Sequence, residues 1–216
     1  VVSTGRRKTL NPGLEFERNL WEAGLLNVVG LDEAGRGAWA GPVAAAAVIL
    51  PSDKPSLDKV LSGVRDSKQM TAGQRSHWAA VIRSEALAFG VGLTGCEEID
   101  REGILRATRL AMERALYALT LKTEYLLLDA ILLRSCEIGQ TALIKGDCIS
   151  LSIAAASILA KTARDQIMVE MEVSYPGYGF ARHKGYGTNT HRQALRENGI
   201  CEIHRRSFRP VKDCTG

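Results

Sequence analysis

Several things are scarce in this chain. Aromatic residues make up 6% of its 216 residues, and the 6 prolines form no tract. No internal repeat or low-complexity stretch interrupts it. Solenoid, collagen-like and disordered classes are therefore excluded. Long hydrophobic runs are missing too: the longest, Pro42 to Pro51, falls far below a bilayer span. No basic-then-apolar leader opens the chain, so a cytoplasmic location and no membrane partner are expected. The five cysteines, Cys96, Cys136, Cys148, Cys201 and Cys214, are odd in number, and no two have C-x-x-C spacing. That argues against a structural zinc site or redox centre, and reduced thiols are expected.

What is present suits one globular domain over 1–216, with 45% hydrophobic residues to build its core. The formal net charge is +4, unevenly spread. From Tyr175 onward, eight Lys/Arg face three acids, a net of +5, so the preceding residues sum to −1. A basic end on a near-neutral body suggests a polyanion partner. We therefore divide the chain into a catalytic core at about 29–176 and a basic, substrate-contacting segment at 177–216.

Periodicity gives the elements. A short helix is expected within Gly13–Gly24. Strands are expected at Asn27–Asp32 and, closed by Pro51, at Pro42–Leu50. Pro51–Gly63 reads as loop. Thr71 caps a helix through Trp78, Ile82 and Leu87. Further strands are expected at Phe89–Leu93, Tyr125–Asp129 and Ala142–Lys145, and helices at Gly103–Leu119 and Ser152–Val173. "ARHKGYGT" reads as loop, Thr188 caps a helix to about Glu197, and the remainder reads as irregular and basic. Two strands joined by a tight turn, then strands alternating with helices, predict an α/β fold with a mixed sheet.

Four acids fall at or just beyond predicted strand ends: Asp32, Glu33, Asp129 and Asp147. If those strands are neighbours, the carboxylates converge, and cations are needed between them. All-oxygen ligands suit Mg²⁺ or Mn²⁺. Two such ions serve phosphodiester hydrolysis. Directly behind the first pair, Gly35, Gly37 and Ala40 satisfy G-x-G-x-x-A. The dinucleotide-binding reading requires a helix of about a dozen residues there. Pro42 and a short apolar run follow instead, so that reading is rejected.

These blocks together resemble type 2 ribonuclease H, the ribonuclease HII family. The match is carried by "GLDEAGRGAWAGPV", "DSKQMT", "LLLDA", "KGD", "SIAAASILAKTARD", "GYGFARHKGYGT" and "IHRRSFRPV", in order from residue 29 to about 211. The resemblance implies a ribonuclease H-like mixed five-stranded sheet flanked by helices, with a small C-terminal helical segment. It implies cleavage of the RNA strand of RNA–DNA hybrids and incision at single ribonucleotides embedded in duplex DNA, leaving 3′-hydroxyl and 5′-phosphate ends. Catalysis and two metal ions then fall to Asp32, Glu33, Asp129 and Asp147. Gly35, Arg36 and Gly37 would contact the 2′-hydroxyl, Lys68 the phosphates, and Tyr186 the sugar on the DNA side of the junction. A monomer is expected. There are two departures: "DSKQM" where Lys-Leu is common at its end, and Ala130 where many members have Gly. The roughly 28 residues ahead of the first strand leave no room for the extra N-terminal domain of the type III enzyme.

Other residues draw weaker readings. Asp165 is expected to pair with Lys161 and Arg164 along one helix. Ala154 to Ala156 should let that helix approach the sheet. Ser157 is placed near a phosphate. Arg205, Arg206 and Arg209 serve either the duplex backbone or C-terminal packing. A non-catalytic duplex-binding module of the same fold would need a broken carboxylate set, and all four acids are present.

Overall fold

The structure, a computed structural model, describes residues 11–214. Its centre is one five-stranded sheet of order β3-β2-β1-β4-β5. The strands are β1 (Val28–Ala34), β2 (Val43–Ile49), β3 (Ala88–Thr94), β4 (Tyr125–Asp129) and β5 (Gly139–Leu143). β1 pairs antiparallel with β2, and β2 with β3. β4 lies parallel to β1 and β5 parallel to β4. The mixed sheet and its flanking helices are as expected.

Buried strands need apolar side chains on both faces. β2, "VAAAAVI", is buried at every position, which is why its sequence does not alternate. On one face Ala46 and Val48 pack with helices α3 (Ala72–Glu85) and α6 (Leu151–Ser174). On the other, Val29, Leu31, Ala45 and Ala47 meet helix α5 (Ile104–Tyr117) through Ala107, Ala111 and Ala115. Ala154, Ala155 and Ala156 are fully buried in the first layer, so small side chains do bring α6 down onto the sheet. Thr71 caps α3 in a capping box with Gln74.

Helix α1 (Glu15–Glu22) docks Phe16, Leu20 and Trp21 beside Val28, Leu127 and Ile153. Its buried Glu17 accepts from the Ser150 and Ser152 hydroxyls and the Ser152 N–H at the start of α6. Helices α7 (Phe180–His183) and α8 (Asn189–Asn198) form a third cluster, with Phe180 and Ala194 against Met168 of α6.

Several expectations shift. β1 runs two residues further, so Asp32 and Glu33 lie inside the strand rather than at its end. The fifth strand begins at Gly139, three residues before the expected start. Helix α2 (Leu57–Val60) occupies part of the expected loop. Helix α4 (Cys96–Glu102) was not foreseen. "ARHKGYGT" is partly helical through α7, and α9 (Arg209–Lys212) adds a turn to the region read as irregular.

Candidate active site

The sheet brings the predicted acids together through register. Leu31 of β1 pairs with Leu128 of β4, so Asp32 and Asp129 follow side by side on parallel neighbours. Asp147 arrives on a 3₁₀ turn, Gly146–Cys148, just after β5. That turn is tied to β4, because the Gly146 N–H donates to Asp129 Oδ1 at 2.8 Å. Lys145 enters the turn at φ 58°, and Ala130 leaves β4 at φ 57°. Both are left-handed conformations that side chains disfavour, and each flanks an acid of the site.

The carboxylates are crowded and dry. Asp32 is 3% exposed and Asp147 5%. Burial raises the Asp32 pKa well above the usual carboxylate range, and Glu33 and Asp129 raise it further. Burial also raises Glu33, with the Arg36 guanidinium, 3.2 Å away, pulling the other way. For Asp147 burial comes first and the nearby Asp66 second. One buried oxygen, Oε2 of Glu33, has no hydrogen-bond partner. A repelling oxygen cluster with an orphaned buried acceptor fits a hard divalent cation, which supplies both the missing charge and the missing ligand contact.

A cleft of about 870 Å³ opens beside these acids. Asp32, Glu33, Asp129, Gly35, Arg36, Gly37, Lys68 and Tyr186 all line it, so eight of the nine predicted site residues share one cleft. Asp147 is reached through Lys68, whose Nζ lies 3.8 Å from Asp147 Oδ2. Partial desolvation lowers the Lys68 pKa, but Asp147, Asp32, Asp66 and Asp129 more than reverse this.

The glycine turn has unequal glycines. Gly35 takes φ 96°, and a Cβ there would sit 2.0 Å from Arg164 Nε. Only glycine fits. A Cβ on Gly37 would meet nothing within 4 Å. The protein itself gives Gly37 no reason to be glycine.

Tyr186 lines the same cleft as this turn. Its ring lies 5.2 Å from both Lys161 Nζ and Arg164 Cζ. Its loop is held from beneath by three buried histidines. His191 Nδ1–H donates to Tyr186 O at 3.1 Å, and the Gly185 N–H donates to His183 Nδ1. His204 Nε2–H then donates to His191 Nε2 at 3.0 Å, and the Cys201 N–H donates to His204 Nδ1. The bond to the Tyr186 carbonyl fixes the tautomers of His191 and His204, while His183 Nε2–H donates to Tyr178 O at 2.7 Å. Burial pushes His191 and His204 down to about 4.

The weaker readings divide. Asp165 pairs with Lys161 at 2.7 Å as expected, but its second partner is Arg75 at 3.1 Å, not Arg164. Arg164 turns away to the carbonyls of Pro42, Ala40 and Lys184. Ser157 is buried, bonded to Ser67 at 2.9 Å, and close enough to Asp32 to lower its pKa. Arg205 is fully buried, whereas Arg206 and Arg209 are exposed. Asp66 was missed: its carboxylate lies with those of Asp147 and the Cys148 thiol in a group whose ligand atoms are within 4.8 Å of one another. Its place in the "DSK" block was the available signal.

A family model described as Ribonuclease HII matches residues 29–211. The chain belongs to the ribonuclease HII family. Ribonuclease HII of Synechococcus sp. (strain JA-3-3Ab) is 51% identical over 210 residues, 97% of this chain and 93% of that protein. Ribonuclease HII of Chloroflexus aurantiacus is 50% identical over 200 residues, covering 93% and 94%. Among solved structures, ribonuclease H2 from Pyrococcus horikoshii OT3 superposes with a TM-score of 0.73 at 25% identity, covering 87% of this chain and 96% of that one. As a ribonuclease HII the chain is a hydrolase that acts on RNA–DNA hybrids and uses a divalent metal. No helix among the described residues is long and apolar enough to cross a membrane.

Proposed function

We propose that this ribonuclease HII cuts both the RNA strand of hybrids and single ribonucleotides embedded in duplex DNA, leaving 3′-hydroxyl and 5′-phosphate ends. The observation that carries the reading is one cleft lined by Asp32, Glu33 and Asp129, the Gly35–Gly37 turn and Tyr186. Asp32, Glu33, Asp129 and Asp147 would hold two divalent cations, Mg²⁺ or Mn²⁺. When bound, such ions activate water and stabilise the departing oxygen of a phosphodiester. The chain's own side chains position the substrate around them.

The Lys68 side chain is 76% exposed beside its partner Asp147 and would meet a phosphate oxygen. The Gly35–Gly37 backbone would meet the 2′-hydroxyl that distinguishes ribose. Open space over Gly37 supports this, because a sugar can approach the main chain there without a Cβ in the way. Tyr186 would pack on the neighbouring sugar, its ring braced by Lys161 and Arg164. Segment 177–216 supplies Arg182, Lys184 and Tyr186 to the cleft, which supports its assignment as substrate-contacting. The cleft is complete within one chain, in keeping with a monomer. Five free cysteines suit the reducing cytoplasm.

Cleavage of a duplex carrying one ribonucleotide, with and without Mn²⁺, tests the reading. The wild type should incise at the ribonucleotide only with metal. Asp32→Asn should cost at least ~10²-fold, as removal of a charge-stabilising group does. Near-normal turnover by Asp32→Asn at saturating Mn²⁺ would exclude the assigned role.

A further inference from the structure

Arg205 is far from the acids in sequence and does not line the cleft, yet it is fully buried. Its Nη1 donates to Arg36 O at 2.9 Å. Its Nε and Nη2 both donate to Gly41 O, at 3.0 and 2.8 Å. Its own N–H donates to Trp39 O at 2.8 Å. The Phe208 ring covers the guanidinium at 5.2 Å. The acceptors of this cation are thus main-chain carbonyls at both ends of residues 36–41, the loop that leaves the glycine turn.

Burying a cation on carbonyls alone is costly, and burial lowers the Arg205 pKa to about 10. The group therefore stays charged at neutral pH. Apolar side chains could fill the space without that cost. What they could not supply is a rigid fork with donors on both edges, able to fix two carbonyls at once. One of those carbonyls belongs to Arg36, the centre of the turn. Its peptide plane also carries the Gly37 N–H, so a bond to Arg36 O fixes the direction of that donor.

We infer that Arg205 is a positioning residue for ribose discrimination: its guanidinium orients the Arg36–Gly37 peptide so that the turn's main chain meets a 2′-hydroxyl. This rests on the reading that Gly35 to Gly37 sense the ribose. The role belongs to the shape of the donor and not to its charge. Lysine keeps the charge but offers one point of attachment and no fork.

The test measures Kd without divalent cation for two duplexes identical except for one ribonucleotide. The wild type should prefer the ribonucleotide duplex. Arg205→Lys should bind the all-DNA duplex as the wild type does and lose about tenfold of the preference, the size of one charged hydrogen bond. A merely structural role would weaken both duplexes together, and that result, or an unchanged preference, overturns the inference. If the wild type itself shows no preference, the reading beneath it fails, which is a separate outcome. Should Arg205→Lys not fold, Phe208→Leu takes its place, removing the ring that packs over the guanidinium and so loosening its hold on Arg36 O. A folded Phe208→Leu with a preference reduced several-fold supports the inference, and an undiminished preference overturns it.

Discussion

Ala130 follows Asp129 in the left-handed region at φ 57°, with its N–H bonded to Leu143 O at 3.1 Å. An L-residue with a Cβ loses ~1–2 kcal/mol in that region. Ala130→Gly removes the strain and keeps the backbone path. It also loosens the unfolded chain, which costs ~0.4–1 kcal/mol. Ala130 is exposed, so its methyl leaves no cavity. The net is a stabilisation of ~0.5–1 kcal/mol. A chain of 216 residues unfolds with an entropy of about 0.45 kcal/mol/K, so Tm should rise by ~1–2 °C. Scanning calorimetry on metal-free protein reads this directly, and Mn²⁺-dependent turnover should be unchanged because the Asp129 backbone is undisturbed. A variant that melts below the parent would refute the reasoning. It would mean that the methyl group makes contacts worth more than the strain it causes.

Three further outcomes follow from the site. Gly37→Ala should fold within ~0.5 kcal/mol of the parent yet incise poorly, whereas Gly35→Ala should melt lower, because its Cβ collides with Arg164; thermal melts beside a cleavage assay separate the two. Asp32→Asn should raise the Tm of the metal-free protein while abolishing activity. Its carboxyl is raised in the folded state by burial, Glu33 and Asp129, so its contribution favours folding at low pH and turns against it as pH climbs through the raised value. Acidification should act through His191 and His204. Both are depressed to about 4, so their stabilisation is full above pH 6.5 and drains away toward pH 4, roughly 3 kcal/mol for each ring. Urea melts between pH 7 and 4 should show that loss, and His204→Gln should flatten it.

Legibility varied with how local the cause is. β2 and β4 could be read because burial on both faces demands a continuous apolar run, "AAAAVI" and "LLL". α5 and α6 declare themselves by periodic small apolar residues. β5 is an edge strand of half-buried residues, "GQTAL", and its position is set by pairing with β4 more than by its own composition. Asp32, Glu33, Asp129 and Asp147 were legible through the motifs around them. Arg164, Arg205 and His191 were not, because their partners are main-chain carbonyls, and every residue has one. Asp165 shows the same limit: its neighbour along the helix could be named, but Arg75, 90 positions earlier, could not.

The bonds from Arg205 to Gly41 and Arg36 span 164 and 169 positions. A ribosome makes roughly 5–20 residues per second, so about 10–30 s pass between the two ends. During that interval the nascent chain carries the β1–β2 hairpin and its first two acids; Arg164 and Gly185 arrive first to hold the loop at Trp39 and Ala40, and the Arg36 carbonyl waits for Arg205. The last large step in making this nuclease is therefore the docking of its tail. Until then the polypeptide near the translated message lacks the finished form of the surface that would hold RNA. A truncation that ends before Arg205 should release a folded sheet loosened at the Arg36 end of this loop, detectable as faster exchange of the Ala38 amide, which bonds Gly35 O.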